Sequence, residues 1–264
     1  MTPVADTPPA PQAYIDRKAL QTEAYGTPQK LLDRMSIYRY QEPRLDLRVS
    51  VREFLGGVPG PVLDLGCGNG SYTRALREAG HAVIATDLSI GMATTAGTPA
   101  AVADAMALPY ADATFGAAIA LHMLYHVPEP AVALAEVRRV TRSGGTVVIT
   151  TNALDDKTDL RRLHIDAAAD VGITLDDSPV TGRFHLDAAE AMAKEIFTHV
   201  VRHDNRSEVS VPVADPVVTF IDSTRDWYGD GPEVLPYVRR RAEEIIAREG
   251  AFRFRTHSGF LVCR

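Results

Sequence analysis

Residues 62–76 read VLDLGCGNGSYTRAL. An apolar run interrupted by Asp64 leads into glycines at 66, 68 and 70, and a polar residue then opens an amphipathic stretch. This is the pattern of a strand, a tight turn and a helix start. Glycines remove side chains where a ligand must approach the backbone and allow φ angles that other residues resist. The helix beginning near Ser71 offers unpaired N–H groups. In open α/β sheets ligands lie outside the carboxyl ends of strands, where the winding direction reverses. The turn after the first core strand occupies such a place.

From Pro61 the pattern alternates: strand VLDL, helix SYTRALREAG, strand HAVIATD, helix SIGMATT, strand AAVADA, strand FGAAIALH, helix AVALAEVRRVTR and strand GTVVITT. Apolar strands separated by helical spans imply βαβ crossovers and a parallel sheet covered on both faces. The fold class is therefore α/β, a Rossmann-like doubly wound and mostly parallel sheet of seven strands. Residues 1–13, MTPVADTPPAPQA, read as a disordered tail, and 14–57 as a helical lead-in and lid ending at Gly56-Gly57. Residues 58–264 form the ligand-binding domain, with helical insertions at about 153–184 and 214–249 that cover the active site. HVVRHDN and SEVSVPV read as two β runs, and a last strand lies near FRFRTHSGFLVCR.

The turn's ligand could be a nicotinamide or flavin dinucleotide, S-adenosylmethionine, a phosphate, or nothing. A dinucleotide turn reads G-x-G-x-x-G and places the pyrophosphate at the helix N-terminus. Here the third glycine comes one position early, and a P-loop's Lys-Ser/Thr is missing. HAVIATD ends in Asp87, 17 positions after Gly70, close to where an acidic residue meets ribose hydroxyls. Asp87 also has the position of a helix cap for the residues that follow.

With VADAMALPYADATFGAAIALHMLYHVPEPAVALAEVRRVTRSGG added, the chain resembles the class I S-adenosylmethionine-dependent methyltransferases, in particular the group containing quinone-biosynthesis and small-molecule enzymes. The resemblance covers about residues 55–152 and rests on the order of four pieces: VLDLGCGNG, the Asp87 strand end, ADAMALPYADATF, and HMLYHVPEP followed by RRVTRSGG. It implies that S-adenosyl-L-methionine is the cofactor. Asp64, Gly66, Cys67 and Gly68 would surround its methionine part, with the Gly66 carbonyl on the amino group. Asp87 would take the ribose hydroxyls, Leu88 and Met92 would pack near adenine, and Asp104 and Ala105 would meet the adenine edge. His122 would lie beside the cofactor. Thr141-Arg142-Ser143 stands where many relatives have a lysine and proline before the paired glycines.

A sulfonium is an activated methyl donor, so alignment is the enzyme's main task, and a base is required only if the acceptor must lose a proton. His122 and His126 are the candidate catalytic histidines, since imidazole titrates near neutrality; in the resembling family the His126 position tends to be structural. Histidines four apart can also hold zinc, but neither HExxH nor a cysteine cluster accompanies them, so the pattern points to no metal. Tyr38, Arg39 and Tyr40 lie where a lid could close, with Arg39 suited to the methionine carboxylate and the tyrosines equally suited to packing. His164, His185 and Trp227 are candidates for the acceptor pocket, or for packing.

At 45% hydrophobic and 23% charged residues, with net charge -6, the composition fits a soluble enzyme and lacks a basic stripe for nucleic acid. No apolar run approaches the roughly 20 residues that span a bilayer, and two cysteines cannot build a disulfide framework. The expected location is the cytoplasm, as monomer or homodimer. The expected activity is methyl transfer to O, N or C of a small-molecule acceptor, possible targets including secondary metabolites. The alternatives are a nucleic-acid methyltransferase, a non-catalytic S-adenosylmethionine-binding protein, and a nicotinamide-dependent oxidoreductase.

Overall fold

Strand β2 (Val62–Leu65), in which all four residues are buried, forms the centre of an eight-stranded sheet. The computed structural model describes Asp16, Lys18, Leu20, Tyr25 and residues 27–264, the side chain of Asp226 excepted. The tail read over 1–13 and most of the helix read in YIDRKALQTEAY lie outside the described residues. Beside β2 run β3 (Val83–Asp87) and β4 (Ala100–Val102) on one side, and β5 (Phe115–Leu121) and β6 (Thr141–Asn152) on the other, all parallel. Strand β8 (Phe252–Cys263) inserts antiparallel between β6 and β7 (Val200–Val211), and β1 (Gln41–Glu42) closes the far edge.

The parallel half is doubly wound because its inner strands are mostly apolar and buried, with helices on both faces of the sheet. All seven residues of β5 are buried. Its Gly116-Ala117-Ala118 segment is small because the backbone is crowded there: a Cβ on Gly116 would lie 1.9 Å from the Pro59 carbonyl oxygen. Bulk is supplied at the margins by Phe115 and Phe260, each at most 1% exposed and each contributing roughly 1.5–3 kcal/mol relative to an exposed ring.

The crossovers are α3 (Ser71–Glu78), α4 (Ile90–Ala96) and α5 (Pro130–Val140). Pro130 occupies the first turn of α5, where its missing N–H costs nothing. Ser89 caps α4 by accepting from the Met92 N–H. Ahead of the sheet come α1 (Gln29–Ser36), a 3₁₀ turn over Ile37–Tyr40, and α2 (Leu47–Leu55), whose cap Asp46 accepts from Arg48 N. After β6 come α6 (Thr158–Ala169), an irregular stretch, and α7 (Leu186–Ile196). Between β7 and β8 lie α8 (Asp215–Asp222), two 3₁₀ turns and α9 (Leu235–Glu249). Ile37, Leu160, Leu163, Val217, Val238 and Phe254 belong to a second apolar cluster that packs these additions onto the antiparallel end of the sheet.

The sheet has eight strands rather than seven. Gln41 and Glu42 pair with Val209 and Glu208, and the buried Gln41 amide donates to Ser207 Oγ at 2.6 Å. Two residues are too short for an alternating pattern to register. HVVRHDN and SEVSVPV join in one 12-residue strand, β7, whose run of charged and polar residues faces water along most of its length.

Replacing Gly116 by Ala is expected to destabilise the fold by about 1–3 kcal/mol, as overpacking does, lowering the thermal midpoint by roughly 3–10 °C. Differential scanning calorimetry of the variant checks this; an unchanged midpoint would mean the β5 backbone is not confined by residues 58–60.

Candidate functional site

The chain leaves β2 through Gly66, Gly68 and Gly70, with φ of 68°, 53° and 72°. Side chains are unfavourable at such angles. The N–H groups of Gly66 and Cys67 both donate to the Thr86 carbonyl, at 2.7 and 2.9 Å, so the turn is fastened to β3. A Cβ on Gly66 would lie 2.6 Å from Met123 Cγ, and one on Gly70 2.5 Å from the Ala96 Cα. Gly68 differs, because its nearest neighbour would be a Leu31 methyl at 3.4 Å, which leaves its backbone face open.

Asp87 completes the turn. One carboxylate oxygen accepts from Gly68 N at 3.0 Å and the other from Ser89 N at 2.9 Å. Burial pushes its carboxyl above the usual range, opposed by these N–H groups. Each carboxylate oxygen accepts more than one hydrogen bond, so both retain a lone pair for a ligand. Behind it, Asp64 is 2% exposed, accepts from Thr73 Oγ1, and is pushed up to about 6 by burial and by Asp87. Burial and the same two carboxylates push the Cys67 thiol up as well. Asp104 lies at the end of the next crossover and accepts from Met106 N at 3.0 Å.

A cavity of about 770 Å³ extends from this turn into the additions. Asp64, Gly66, Cys67, Gly68, Asp87, Leu88, Asp104, Ala105, His122 and His126 line it, as do Tyr38, Arg39, His164 and Trp227. Three residues read from the sequence lie elsewhere. Met92 is fully buried under the turn that caps α4, Tyr40 packs into the second apolar cluster beneath Arg39, and His185 precedes α7 away from the cavity. Met92 and Tyr40 are apolar or aromatic enough to be taken by the core, whereas His185 is buried with its Nδ1 unpartnered among the described residues.

His122 has φ of 53° and donates its backbone N–H to the Thr150 carbonyl at 3.1 Å, a turn that aims the end of β5 at the cavity. Burial, reinforced by Lys157, lowers its pKa to about 4, so the ring is neutral at physiological pH. His126 Nε2 is held by the Tyr25 hydroxyl at 2.9 Å, and the His126 ring meets Tyr25, Tyr125 and Trp227 within 5.9 Å. It ties Tyr25 to the turn that follows β5.

Sequence reading missed several wall residues. Arg34 is 8% exposed, donates to the Ser223 carbonyl at 2.9 Å and stacks 4.5 Å over Trp227. Its Nη2 is buried with no hydrogen-bond partner among the described residues. Lys157 (φ 54°) pairs with Asp156 and lies 5.9 Å from the Tyr38 ring. Burial alone would lower its ammonium, but Asp156 and Tyr38 outweigh burial and hold it above its ordinary value. His164 Nε2 meets Asp230 Oδ2 at 2.8 Å. His164 and Trp227 are candidates already named from the sequence, whereas Arg34, Lys157 and Asp230 gave no signal; Arg34 and Asp230 depend on partners far away in the chain.

Residues 63–149 match the family model described as a methyltransferase domain. A demethylmenaquinone methyltransferase of Renibacterium salmoninarum is 39% identical over 105 residues, covering 38% of this chain and 44% of that protein. A malonyl-acyl-carrier-protein O-methyltransferase of Pseudescherichia vulneris is 42% identical over 100 residues, covering 36% and 40%. The chain thus spans less than half the length of these curated relatives. Among solved structures, the 4+2 cyclase SpnF superposes with a TM-score of 0.53 at 18% identity, covering 97% of each chain. The superposition shows a fold shared with such proteins, and the segment that carries the glycine turn lies within the stretch that resembles a methyltransferase domain.

Asp64 yields a prediction with a definite sign. Its folded pKa of about 6 lies above the ordinary range of an aspartate carboxyl, so the native state binds the proton more tightly. Its contribution is present below pH 4 and is lost as pH rises through 6. Asp64→Asn keeps the acceptor for Thr73 without the buried charge. Urea unfolding is expected to find it more stable than the parent by about 1–3 kcal/mol at pH 8 and equal at pH 4; equal stability at both would contradict the assigned burial cost.

Proposed function

We propose that this chain is an S-adenosylmethionine-dependent methyltransferase acting on a small-molecule acceptor. The observation that carries this reading is the single cavity joining the glycine turn, Asp87 and Asp104 to a chamber walled by Leu160, Phe220, Ile221, Trp227 and Tyr228. A cofactor held at the turn and an acceptor held in the chamber would share one enclosed space.

The residues fit the cofactor. Asp87 has lone pairs for the ribose diol, and Asp104 with the Ala105 backbone suits the adenine edge. The open backbone face of Gly68 and the Gly66 carbonyl suit the amino-acid end. The methionine carboxylate needs a cation, and Arg34, with its orphaned Nη2, suits it better than Arg39, because an unpaired buried donor leaves its desolvation uncompensated. The sign of the charge also discriminates. Buried Asp64 and Asp87 favour a sulfonium and an ammonium and disfavour a pyrophosphate.

When bound, the cofactor supplies a methyl group already activated for displacement. What remains for the protein is to orient the acceptor and to keep water out, and alignment alone can account for several kcal/mol of the barrier. Tyr25 and Arg34, with Thr224, Trp227 and Tyr228, wall the cavity, and Arg34 stacks on both Tyr25 and Trp227. The net charge of -6 fits a small molecule better than a nucleic-acid backbone.

Titration calorimetry with S-adenosylhomocysteine is expected to give micromolar-range binding. Asp87→Asn is expected to weaken it about 10–100-fold, the scale of a charged hydrogen-bond pair, and Arg34→Met is expected to act in the same direction. Absence of heat with S-adenosylhomocysteine, together with binding of NADH, would refute the proposal.

A further inference from the structure

Three histidines line the cavity, and they differ in what holds them. His122 has no carboxylate partner among the described residues and faces Lys157, which opposes a second positive charge. His126 has its Nε2 taken by Tyr25. His164, on α6, has its Nε2 taken by Asp230 Oδ2 at 2.8 Å, and the ring stands edge-on to Tyr228 at 5.1 Å.

From this geometry we infer that His164 is the general base that takes the proton from the acceptor, and that Asp230 is its positioning residue. The inference rests on the methyltransferase reading above and narrows its acceptor to a protic group, a hydroxyl or an amine, rather than a carbon already lacking a proton.

The chemistry follows from what a carboxylate can do. An ionised carboxylate only accepts hydrogen bonds, so the nitrogen facing it must carry the hydrogen. In the neutral ring Nε2 is therefore protonated and Nδ1 holds the lone pair, on a side chain that lines the cavity. Asp230 is 0% exposed, and its other oxygen, Oδ1, has no partner among the described residues. His164 meets Asp230 and Tyr228, both from the segment after α8, and Arg161 precedes it by three residues on its own helix. Arg161 is itself paired with Asp177 at 2.6 Å.

In the step, the acceptor's O–H or N–H proton passes to His164 Nδ1 as the heteroatom's electron pair forms the new bond to the methyl carbon. The S–C pair stays on sulfur, leaving a neutral thioether, and the imidazolium later returns its proton to water. His164 and Asp230 both lie outside residues 63–149, the segment shared with the family model. The base therefore belongs to the part of the chain that builds the acceptor chamber, as a residue selective for one acceptor chemistry would.

Two measurements on the full-length chain decide it. In ¹⁵N-histidine NMR, with His164 assigned by loss of its signals in His164→Gln, the neutral ring is expected as the Nε2–H tautomer, and Asp230→Asn is expected to lower its titration midpoint by about one unit or more. An Nδ1–H tautomer, or a midpoint unmoved by Asp230→Asn, overturns the inference. The second measurement incubates the protein with S-adenosylmethionine and a panel of phenols, catechols and primary amines, reading S-adenosylhomocysteine release. For an acceptor turned over, His164→Gln is expected to lose at least about 100-fold in kcat/KM with S-adenosylhomocysteine affinity unchanged. The acid limb of the pH profile is expected to follow the His164 midpoint, shifting in Asp230→Asn and returning in Asp230→Glu. Parent-like turnover by His164→Gln overturns the inference. Loss of S-adenosylhomocysteine binding by the parent would instead fail the methyltransferase reading, and the NMR result would still decide the dyad.

Discussion

The Asp87 carboxylate, shared between Gly68 N–H and Ser89 N–H, is the constraint on which the rest of the site depends. It ties the turn after β2 to the start of α4, so the end of one strand and the next crossover move as a unit. Gly66 and Cys67 reinforce the tie by donating to Thr86, one residue before Asp87. Without these bonds the positive φ angles at 66, 68 and 70 would be conformational freedom; with them they are a fixed cradle. The cost is a pair of buried acids, Asp64 and Asp87, offset by hydrogen bonds from Thr73 to the first and from Gly68 and Ser89 to the second.

Around that fixed turn the additions do a different task. Leu20, Tyr25, Arg34 and Trp227 come from opposite ends of the chain and meet over the cavity, linked by stacking and by the Tyr25–His126 hydrogen bond. Ser89 Oγ also donates to the Tyr25 carbonyl at 2.8 Å, so the helix cap beside Asp87 holds Tyr25 as well. On the other flank, His257 stands between Asp155 and Asp204, with ring nitrogens 2.6 and 2.7 Å from their oxygens, and its backbone N–H reaches Asp156. That cluster holds the loop from which Lys157 enters the cavity.

The parallel half of the sheet was legible because its signals are local. FGAAIAL is apolar without interruption, and VLDL and TVVIT are apolar but for Asp64, Thr146 and Thr150, as strands buried on both faces tend to be. The glycine spacing and the aspartates at 87 and 104 are likewise readable along the chain. The additions were less legible, for physical reasons. Strand β7 reads as two because its solvent-facing residues break the apolar pattern at Asp204, Asn205 and Arg206, and β1 is too short to have a pattern. Arg34, Lys157 and Asp230 look like ordinary surface charges in sequence; only burial beside Trp227, Asp156 and His164 gives them a role. Met92, Tyr40 and His185 fail in the opposite direction, since proximity in sequence to the site did not bring their side chains to it.

The shared fold leaves chemistry open, as the superposition on a 4+2 cyclase illustrates, and function has to be argued from the site. The central claim is that the turn holds the amino-acid and ribose parts of an adenosyl sulfonium with its sulfur facing the chamber. A crystal structure of the chain with S-adenosylhomocysteine tests it most directly. The account predicts the ribose diol on Asp87, the carboxylate on Arg34, and the sulfur open toward the space lined by His122 and His164. Density for the ligand outside the turn, or a ribose that leaves Asp87 uncontacted, would contradict it.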